Sequence, residues 1–512
     1  MFDTKQCVRY TLSVEGNDMS TSLETQLVAA MLGKSRPSVL MTDAYKFSMA
    51  QAGFPLRPET FYLSFRRPGW YYIPFDLTAV VRDLCPLAPS AQDRAYLKTF
   101  GYELTGAMEA ALHATPTIWS APKGSWVRER EPIVSVTAPS FLASWLEPLL
   151  VWLHYPIQVA TVLLEGECSE LFCRSEAEAD IIRLVEKSLD LTGRVAIKVQ
   201  NSSSRITVRN NAERIVQAVN GEAARVFEVG MRSANCLAWH KQALAEVADT
   251  GIRSTSSVFL AKELGLTPVG TTGHEHQQRW GRDIDGYRAI RDMRVASPSY
   301  LFDTYDAMNV GIPDAIAMMR EEPERDASVR FDSGDLEAQL EAFVAAEVTP
   351  TFVFMDSMKP ERIAALEQVA TLLDIAPARR LYGVGGYLVG AAQPNELSRD
   401  RVAAVYKLSS SGSRPAMKFC VPGKTSTPGR PIVFRRVSGS GPVGLIGQVG
   451  EAVPKGYERL RASGRPRTAS EPVAWSAQTA RFVRELQRFH FRGAGSRNSG
   501  ALQSVSGDAG AI

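Results

Sequence analysis

Cysteine and histidine are both scarce, six of each in 512 residues. The cysteines are scattered. The closest pair, Cys168 and Cys173, has no other cysteine or histidine near it in sequence. That argues against a zinc knot or a disulfide framework and for reduced thiols. An excess of one charge is also lacking. Lys and Arg number 58 against 55 Asp and Glu, a net of +3. Such balance does not point to nucleic acid or an anionic membrane as the main partner, though local arginine clusters can still take a small anion. No clean apolar run is long enough to span a membrane. The longest apolar region, "FLASWLEPLLVWLHYPIQVATVLL", holds Glu147, Pro148, His154, Pro156 and Gln158, so it reads as a buried helix pair. The opening "MFDTKQCVRYTLSVEGNDMS" has no continuous apolar core of the signal-peptide kind. The expectation is a cytoplasmic protein with no nucleic-acid or membrane partner.

What is present is a globular composition, 45% hydrophobic and 22% charged, over enough chain for two or three domains. Residues 1–37 are polar and aperiodic and read as a flexible extension. Residues 38–165 mix elements: Thr42 is placed to cap a helix through "DAYKFSMAQAGF", "ETFYLSFRR" alternates as a strand, and "PKGSWVREREPIVSV" reads as a β-hairpin. Residues 166–221 form a connecting segment. From 222 to 390 short apolar runs alternate with amphipathic helices. The runs are "RVFEVGMRS", "GIRSTSS", "TPVGTTGHE", "SYLFDTYD", "SVRFDSGD", "TFVFMDS" and "RLYGVGG". Between them Leu336, Leu340, Phe343 and Val344 share one helix face, and Pro360 opens a second helix lined by Ile363, Leu366, Ala370 and Leu373. Seven strand–helix units predict an irregular, TIM-like parallel α/β barrel. The β-rich segment 391–475 is expected to rejoin the first domain. Residues 476–512 read as a helix and a Gly/Ser-rich disordered tail.

Several motifs fail on counting. "GHEHQQRWG" nearly spells H-E-x-x-H, but position 278 is Gln278, and His274 and His276 lie two residues apart, on different sides of any helix. "PGKTS" lacks the leading glycine of a Walker A loop, since that position is Lys418. Anion chemistry remains. Gly383, Gly385 and Gly386 follow a predicted strand, where exposed backbone N–H groups cradle phosphate or merely make a tight turn. "RFDSGD" sets Arg330, Asp332, Ser333 and Asp335 at a strand end, suited to phosphate, ribose hydroxyls or Mg²⁺, or with Ser333 and Asp335 as helix caps. Asp303 and Asp306 of "FDTYD" carry the same two readings. His274 follows a strand and opens a helix, where negative charge is favoured and imidazolium is not. A phosphoryl acceptor fits that place, beside the alternative of a satisfied structural histidine.

Nine segments in order resemble the nicotinate phosphoribosyltransferase family, from about Val39 to Arg436: "LMTDAYKFSMAQ", "FYLSFRR", "EPLLVWL", "FEVGMRS", "GLTPVGTTGHE", "LFDTYDA", "VRFDSGDL", "YGVGGYLV" and "VYKL…MKF…GKTSTPG". The resemblance implies a type II phosphoribosyltransferase fold, an α/β sandwich-like domain from both chain ends plus the irregular barrel. It implies joining nicotinate to phosphoribosyl pyrophosphate in NAD salvage. ATP is implied as co-substrate, working through a phosphohistidine at His274, with Mg²⁺ as cofactor. A homodimer with shared sites is implied, Tyr45 coming from the neighbouring subunit and Arg66 lying near the same interface. Arg330 and Asp332 are matched to the phosphoribosyl grip, Arg232 to the first arginine of F-G-x-R-R, Asp303 to a substrate contact, Gly385 and Gly386 to the phosphate loop, and Lys418 and Lys424 to the basic segment. The chain departs from the family pattern at Val229, Ser233 and Ser257, the last standing where T-S-N is frequent. Nicotinamide phosphoribosyltransferase and a non-catalytic ligand-binding relative are the alternatives.

Overall fold

All seven apolar runs of the second half form strands. We label them β1 (Val226–Glu228), β2 (Ser254–Thr255), β3 (Thr267–Pro268), β4 (Ser299–Leu301), β5 (Ser328–Phe331), β6 (Thr351–Phe354) and β7 (Arg380–Val384). The structure is a computed structural model that describes residues 21–166, 168–293, 297–390, 396–419, 425–464 and 473–491. The strands make one parallel sheet in the order β3-β2-β1-β7-β6-β5-β4. That is the cyclic order of a barrel, but no ladder joins β3 to β4 among the described residues. The expected barrel is therefore an open half-barrel. Between β3 and β4 the chain makes two helices in succession, His274–Trp280 and Asp283–Met293. The first is tied outward, its Arg279 guanidinium forking onto Glu59 at 2.8 and 2.9 Å.

The helices between strands follow the apolar spacing. Leu336–Ala345 buries Leu336, Leu340 and Phe343, and its N-terminus is capped by Asp335. Pro360–Leu372 starts at Pro360 and buries Ile363, Leu366 and Ala370. Between sheet and helix the core is aromatic. Phe302 meets Phe331 edge-on at 5.0 Å, and Phe331 meets Phe354 at 4.8 Å, arrangements that suit ring quadrupoles.

Outside the half-barrel lie further sheets, antiparallel or mixed. One has the order Arg414–Pro415, Ala404–Ser411, Pro58–Phe65, Val134–Pro139, Thr117–Ser120. The pairing of Pro58–Phe65 with Ala404–Ser411 brings the two chain ends together. A second sheet orders Tyr457–Arg459, Pro431–Arg436, Gly444–Gln448 and Ala474–Trp475. The apolar region forms three consecutive helices, Ser140–Trp145, Glu147–Val151 and His154–Glu165, not a pair. The stretch 147–165 is long and apolar enough to cross a membrane, but 89% of its apolar window is buried inside the molecule, as a core helix would be.

Three local expectations need correction, and the connecting segment gains detail. The two runs of "PKGSWVREREPIVSV" do not pair as a hairpin: Trp126–Arg128 joins Trp70–Tyr72, while Val134–Pro139 joins Pro58–Phe65. Thr42 caps no helix; its hydroxyl donates to the Trp145 carbonyl at 3.0 Å. The expected loose extension contains the helix Leu23–Met31, with Leu27, Val28 and Met31 buried. The connecting segment carries two paired parallel strands, Glu170–Cys173 and Ala196–Val199, and the helices Glu176–Ser188 and Asn201–Ala218.

Candidate active site

The C-terminal ends of the half-barrel strands converge on His274. It is the first residue of its helix, after Gly273. Its Nε2 lies 2.8 Å from Asp303 Oδ1 after β4, 3.6 Å from Asp332 Oδ2 after β5, and 2.6 Å from Lys418 Nζ. Lys418 also donates to Asp303 Oδ2 at 3.1 Å, and the Ser333 hydroxyl donates to the same oxygen. Arg330 pairs with Asp332 at 2.6 Å and donates to the Thr272 carbonyl at 2.6 Å. Thus His274, Arg330, Asp332, Asp303 and Lys418 form one cluster. The two readings of each acidic motif separate here. Asp303 enters the site, whereas Asp306 caps the turn after it, accepting from Asn309 N at 3.1 Å. Ser333 enters the site, whereas Asp335 is a helix cap.

Charge in the cluster is set by burial and neighbours. Burial and then the Lys418 ammonium push His274 below its ordinary value, so the ring is neutral. With its proton on Nδ1, Nε2 accepts from Lys418 and carries the nucleophilic lone pair; with it on Nε2, the ring donates to Asp303. Against burial, His274, through its hydrogen bond, and the Lys418 ammonium hold Asp303 well below the usual carboxylate range. Against burial, the Arg330 guanidinium does the same for Asp332. Two ionised carboxylates, two cations and a neutral ring result.

A narrow pocket beside the cluster is lined by Asp43, Tyr45, Val229, Arg232, Gly270 and Arg330, among others. Tyr45 and Arg232 line the same pocket within one chain. The close approach demands glycine at 270, where a Cβ would lie 2.6 Å from the Tyr45 backbone nitrogen. Ser256, not Ser257, lines this pocket, and its hydroxyl donates to Asp43 at 2.7 Å. Ser257 is fully buried instead. Behind the pocket a cavity of about 660 Å³ runs into the half-barrel lumen, sharing Phe227, Val269, Gly270 and Thr271 with it.

Arg232 sits in the short turn Met231–Ser233 after β1, its side chain 29% exposed. That turn is braced by Glu228, which accepts from the Gly230 backbone and from Thr255 at 2.5 Å. The guanidinium is held by Glu147 at 3.0 Å, a carboxylate whose site role sequence reasoning missed. Gly385 and Gly386 follow β7. A Cβ at 386 would stand 2.8 Å from an Asp400 oxygen and 3.5 Å from Ser233 Oγ, so the loop abuts the Arg232 turn. Arg66 lies apart from the histidine cluster, in a small pocket with Tyr62, Arg130 and Ser426. Lys424 lies outside the described residues. His276 is a packing residue, its Nε2 2.9 Å from the Gly286 carbonyl.

Comparison with known proteins places this geometry. No family model matches the chain. A nicotinate phosphoribosyltransferase of Mycobacterium tuberculosis is 26% identical over 435 residues, 81% of this chain and 79% of that protein. One of Xanthomonas campestris is 23% identical over 413 residues, 76% of this chain and 92% of that protein. The chain is a distant homologue of the nicotinate phosphoribosyltransferases. Two solved nicotinate phosphoribosyltransferases share the fold. That of Porphyromonas gingivalis has a TM-score of 0.53 at 17% identity, covering 77% of this chain and 96% of that one. That of Vibrio cholerae has a TM-score of 0.53 at 17% identity, covering 78% and 92%. As a nicotinate phosphoribosyltransferase homologue the chain departs in the pocket wall. Val229 offers a methyl pair where the family pattern has an aromatic face, and Ser233 is buried where the pattern has a second guanidinium.

Proposed function

We propose that the protein transfers the phosphoribosyl group of phosphoribosyl pyrophosphate to nicotinate, with ATP driving the transfer through a phosphoryl group on His274. The observation that carries this reading is the cluster of neutral His274 with Asp303, Asp332, Arg330 and Lys418 beside a pocket holding Arg232. In the transfer, the pyridine nitrogen forms a bond to the anomeric carbon as its bond to the pyrophosphate oxygen breaks. Little covalent help is needed from protein. Position and charge stabilisation supply the rate. Arg330 and the backbone of Gly385 and Gly386 hold the phosphoribosyl phosphate. Lys418 stabilises departing charge. Arg232 and Tyr45 hold the base, the guanidinium fork matching a carboxylate.

As a neutral nucleophile His274 forms a nitrogen–phosphorus bond to the γ-phosphorus of ATP as that phosphorus loses its bond to the ADP oxygen and ADP departs. Lys418 at 2.6 Å neutralises the charge that arrives, and water later cleaves the nitrogen–phosphorus bond to give inorganic phosphate and free His274. The cluster suits magnesium by its oxygens. The ligand atoms of His274, Asp303 and Asp332 lie within 4.8 Å of one another, and carboxylates are the hard donors this ion prefers. Asp303 and Asp332 would hold it, and it would neutralise phosphate charge there. Lys418 already occupies one side of Asp303, which leaves Asp332, 23% exposed, as the open side.

Ser233 favours a second reading, nicotinamide as the base, because one arginine rather than two faces the ring. Competition between nicotinate and nicotinamide for the purified protein, with phosphoribosyl pyrophosphate, Mg²⁺ and ATP present, decides it. Nicotinate mononucleotide is the expected product. Nicotinamide mononucleotide instead would select the second reading, and no product from either base would overturn both.

A further inference from the structure

A second network of buried charge lies beside the histidine cluster. It begins at Arg232, whose Nη1 contacts Glu147 Oε1 at 3.0 Å. The other Glu147 oxygen accepts from Lys46 Nζ at 2.5 Å. The same ammonium donates to Glu275 Oε2 at 3.0 Å, and the Ser144 hydroxyl donates to Glu275 Oε1. The side chains of Lys46, Glu147 and Glu275 are 0%, 5% and 8% exposed. The signs alternate along the chain, and each inner member bridges two partners. Glu147 gives one oxygen to each cation. Lys46 gives one ammonium to two carboxylates. The ends are informative: Arg232 stands in the pocket, and Glu275 is bonded directly to His274 in sequence.

Four elements are stitched together this way: the turn Met231–Ser233 and the helices Tyr45–Gln51, Glu147–Val151 and His274–Trp280. Stability alone does not call for such a chain, since apolar side chains of similar volume fill buried space at less desolvation cost. Burial opposes the charge on Lys46, yet Glu147 and Glu275 hold its pKa above the ordinary value, so the link is charged at every working pH.

We infer that Lys46 and Glu275 are positioning residues that couple the occupancy of Arg232 to the placement of His274. The inference rests on the reading of Arg232 as carboxylate anchor and His274 as phosphoryl acceptor. A carboxylate entering the pocket competes with Glu147 for the Arg232 guanidinium. Glu147 then turns more fully to Lys46, Lys46 loosens its hold on Glu275, and the first turn of the His274 helix is released from that tether. Coupling between two sites is reciprocal, so phosphorylation of His274 changes carboxylate affinity by the factor by which the carboxylate changes phosphorylation.

The test is calorimetric titration of nicotinate into the full chain, before and after His274 is phosphorylated with Mg²⁺-ATP, and the ratio of the two affinities. The wild-type ratio is expected to differ from one by roughly fivefold or more, the usual lower range of coupling. Nicotinamide, which lacks the charge, is expected to give a ratio near one. Glu275→Gln keeps shape and hydrogen bonding but removes the charge, and is expected to bring the nicotinate ratio to one. Lys46→Gln does the same, and Lys46→Arg restores the coupling. Should Lys46→Gln fail to fold, Glu275→Gln decides. A wild-type ratio in Glu275→Gln overturns the inference. So does a wild-type chain that binds nicotinate and takes the phosphoryl group with a ratio of one, and that result leaves the proposed function standing. A chain that neither binds nicotinate nor takes the phosphoryl group overturns inference and function together.

Discussion

His274 is neutral because it is buried beside an ammonium. Its pKa is lowered from 6.5, so acidification protonates it only below the ordinary histidine range. The sign follows: the ring is a competent acceptor above its lowered pKa, and competence is lost as pH falls through that value. The rate of ATP-dependent phosphorylation is therefore expected to reach half of its plateau only below the ordinary histidine value of 6.5; rapid-quench measurement of acid-labile phosphate checks this, and a midpoint above 6.5 contradicts it. Arg232 carries a second prediction. Arg232→Lys keeps the charge for Glu147 but loses the planar fork, so KM for nicotinate should rise about tenfold, about 1.4 kcal/mol, with a smaller change in kcat. Steady-state kinetics reads it, and an unchanged KM removes Arg232 from the base site. Most of the histidine cluster was legible through the resemblance of its strand-end motifs taken together, because each residue alone reads equally as a helix cap or a packing residue. Glu147 and Lys46 were not. Glu147 lies in an apolar helix, where sequence offers only the conclusion that the helix does not span a membrane. Its partners stand 85 and 101 residues away.

Between β3 and the helix of His274, the chain must pass against the N-terminus of helix Tyr45–Gln51. Gly270 permits the pass. Gly270→Ala places a Cβ 2.6 Å from a backbone nitrogen that cannot rotate away. Overpacking of this kind costs about 1–3 kcal/mol, so Tm should fall by several degrees and KM for nicotinate should rise. Thermal unfolding and kinetics check the pair, and a variant with neither change shows that Tyr45 yields freely. The seven parallel strands were readable from alternation and punctuation alone. The opening between β3 and β4 was not, because strands of two or three residues carry too little pattern to show which edges pair. The false hairpin has the same origin: turn residues flank Trp126–Arg128, but its ladder partner is Trp70–Tyr72, far upstream. The helix Asn201–Ala218 escaped notice because its buried residues, Ser204, Val208, Ala212 and Ile215, include only two large apolar ones.

Across the whole molecule, the half-barrel supplies His274, Arg232, Arg330, Asp303 and Asp332, while the segments outside it supply Tyr45, Lys46, Glu147 and Lys418. All of them come from one chain. If that chain is the complete catalytic unit, two impaired variants cannot rescue each other's ATP-stimulated activity. A mixture of Tyr45→Ala and His274→Ala proteins, unfolded and refolded together, should show no activity above the separate variants. Recovery toward about a quarter of wild-type ATP-stimulated activity, the share expected when random pairing makes half of the dimers mixed and each mixed dimer has one intact shared site of two, would show that Tyr45 crosses to a partner. The family resemblance implies shared sites, and within this chain Tyr45 and Arg232 line one pocket. The central claim, that His274 links ATP to phosphoribosyl transfer, is tested most directly by nicotinate mononucleotide formation with and without ATP in wild type and His274→Ala. The account predicts ATP stimulation in the wild type and none in the variant, which keeps a basal rate. Equal stimulation in both proteins would contradict it.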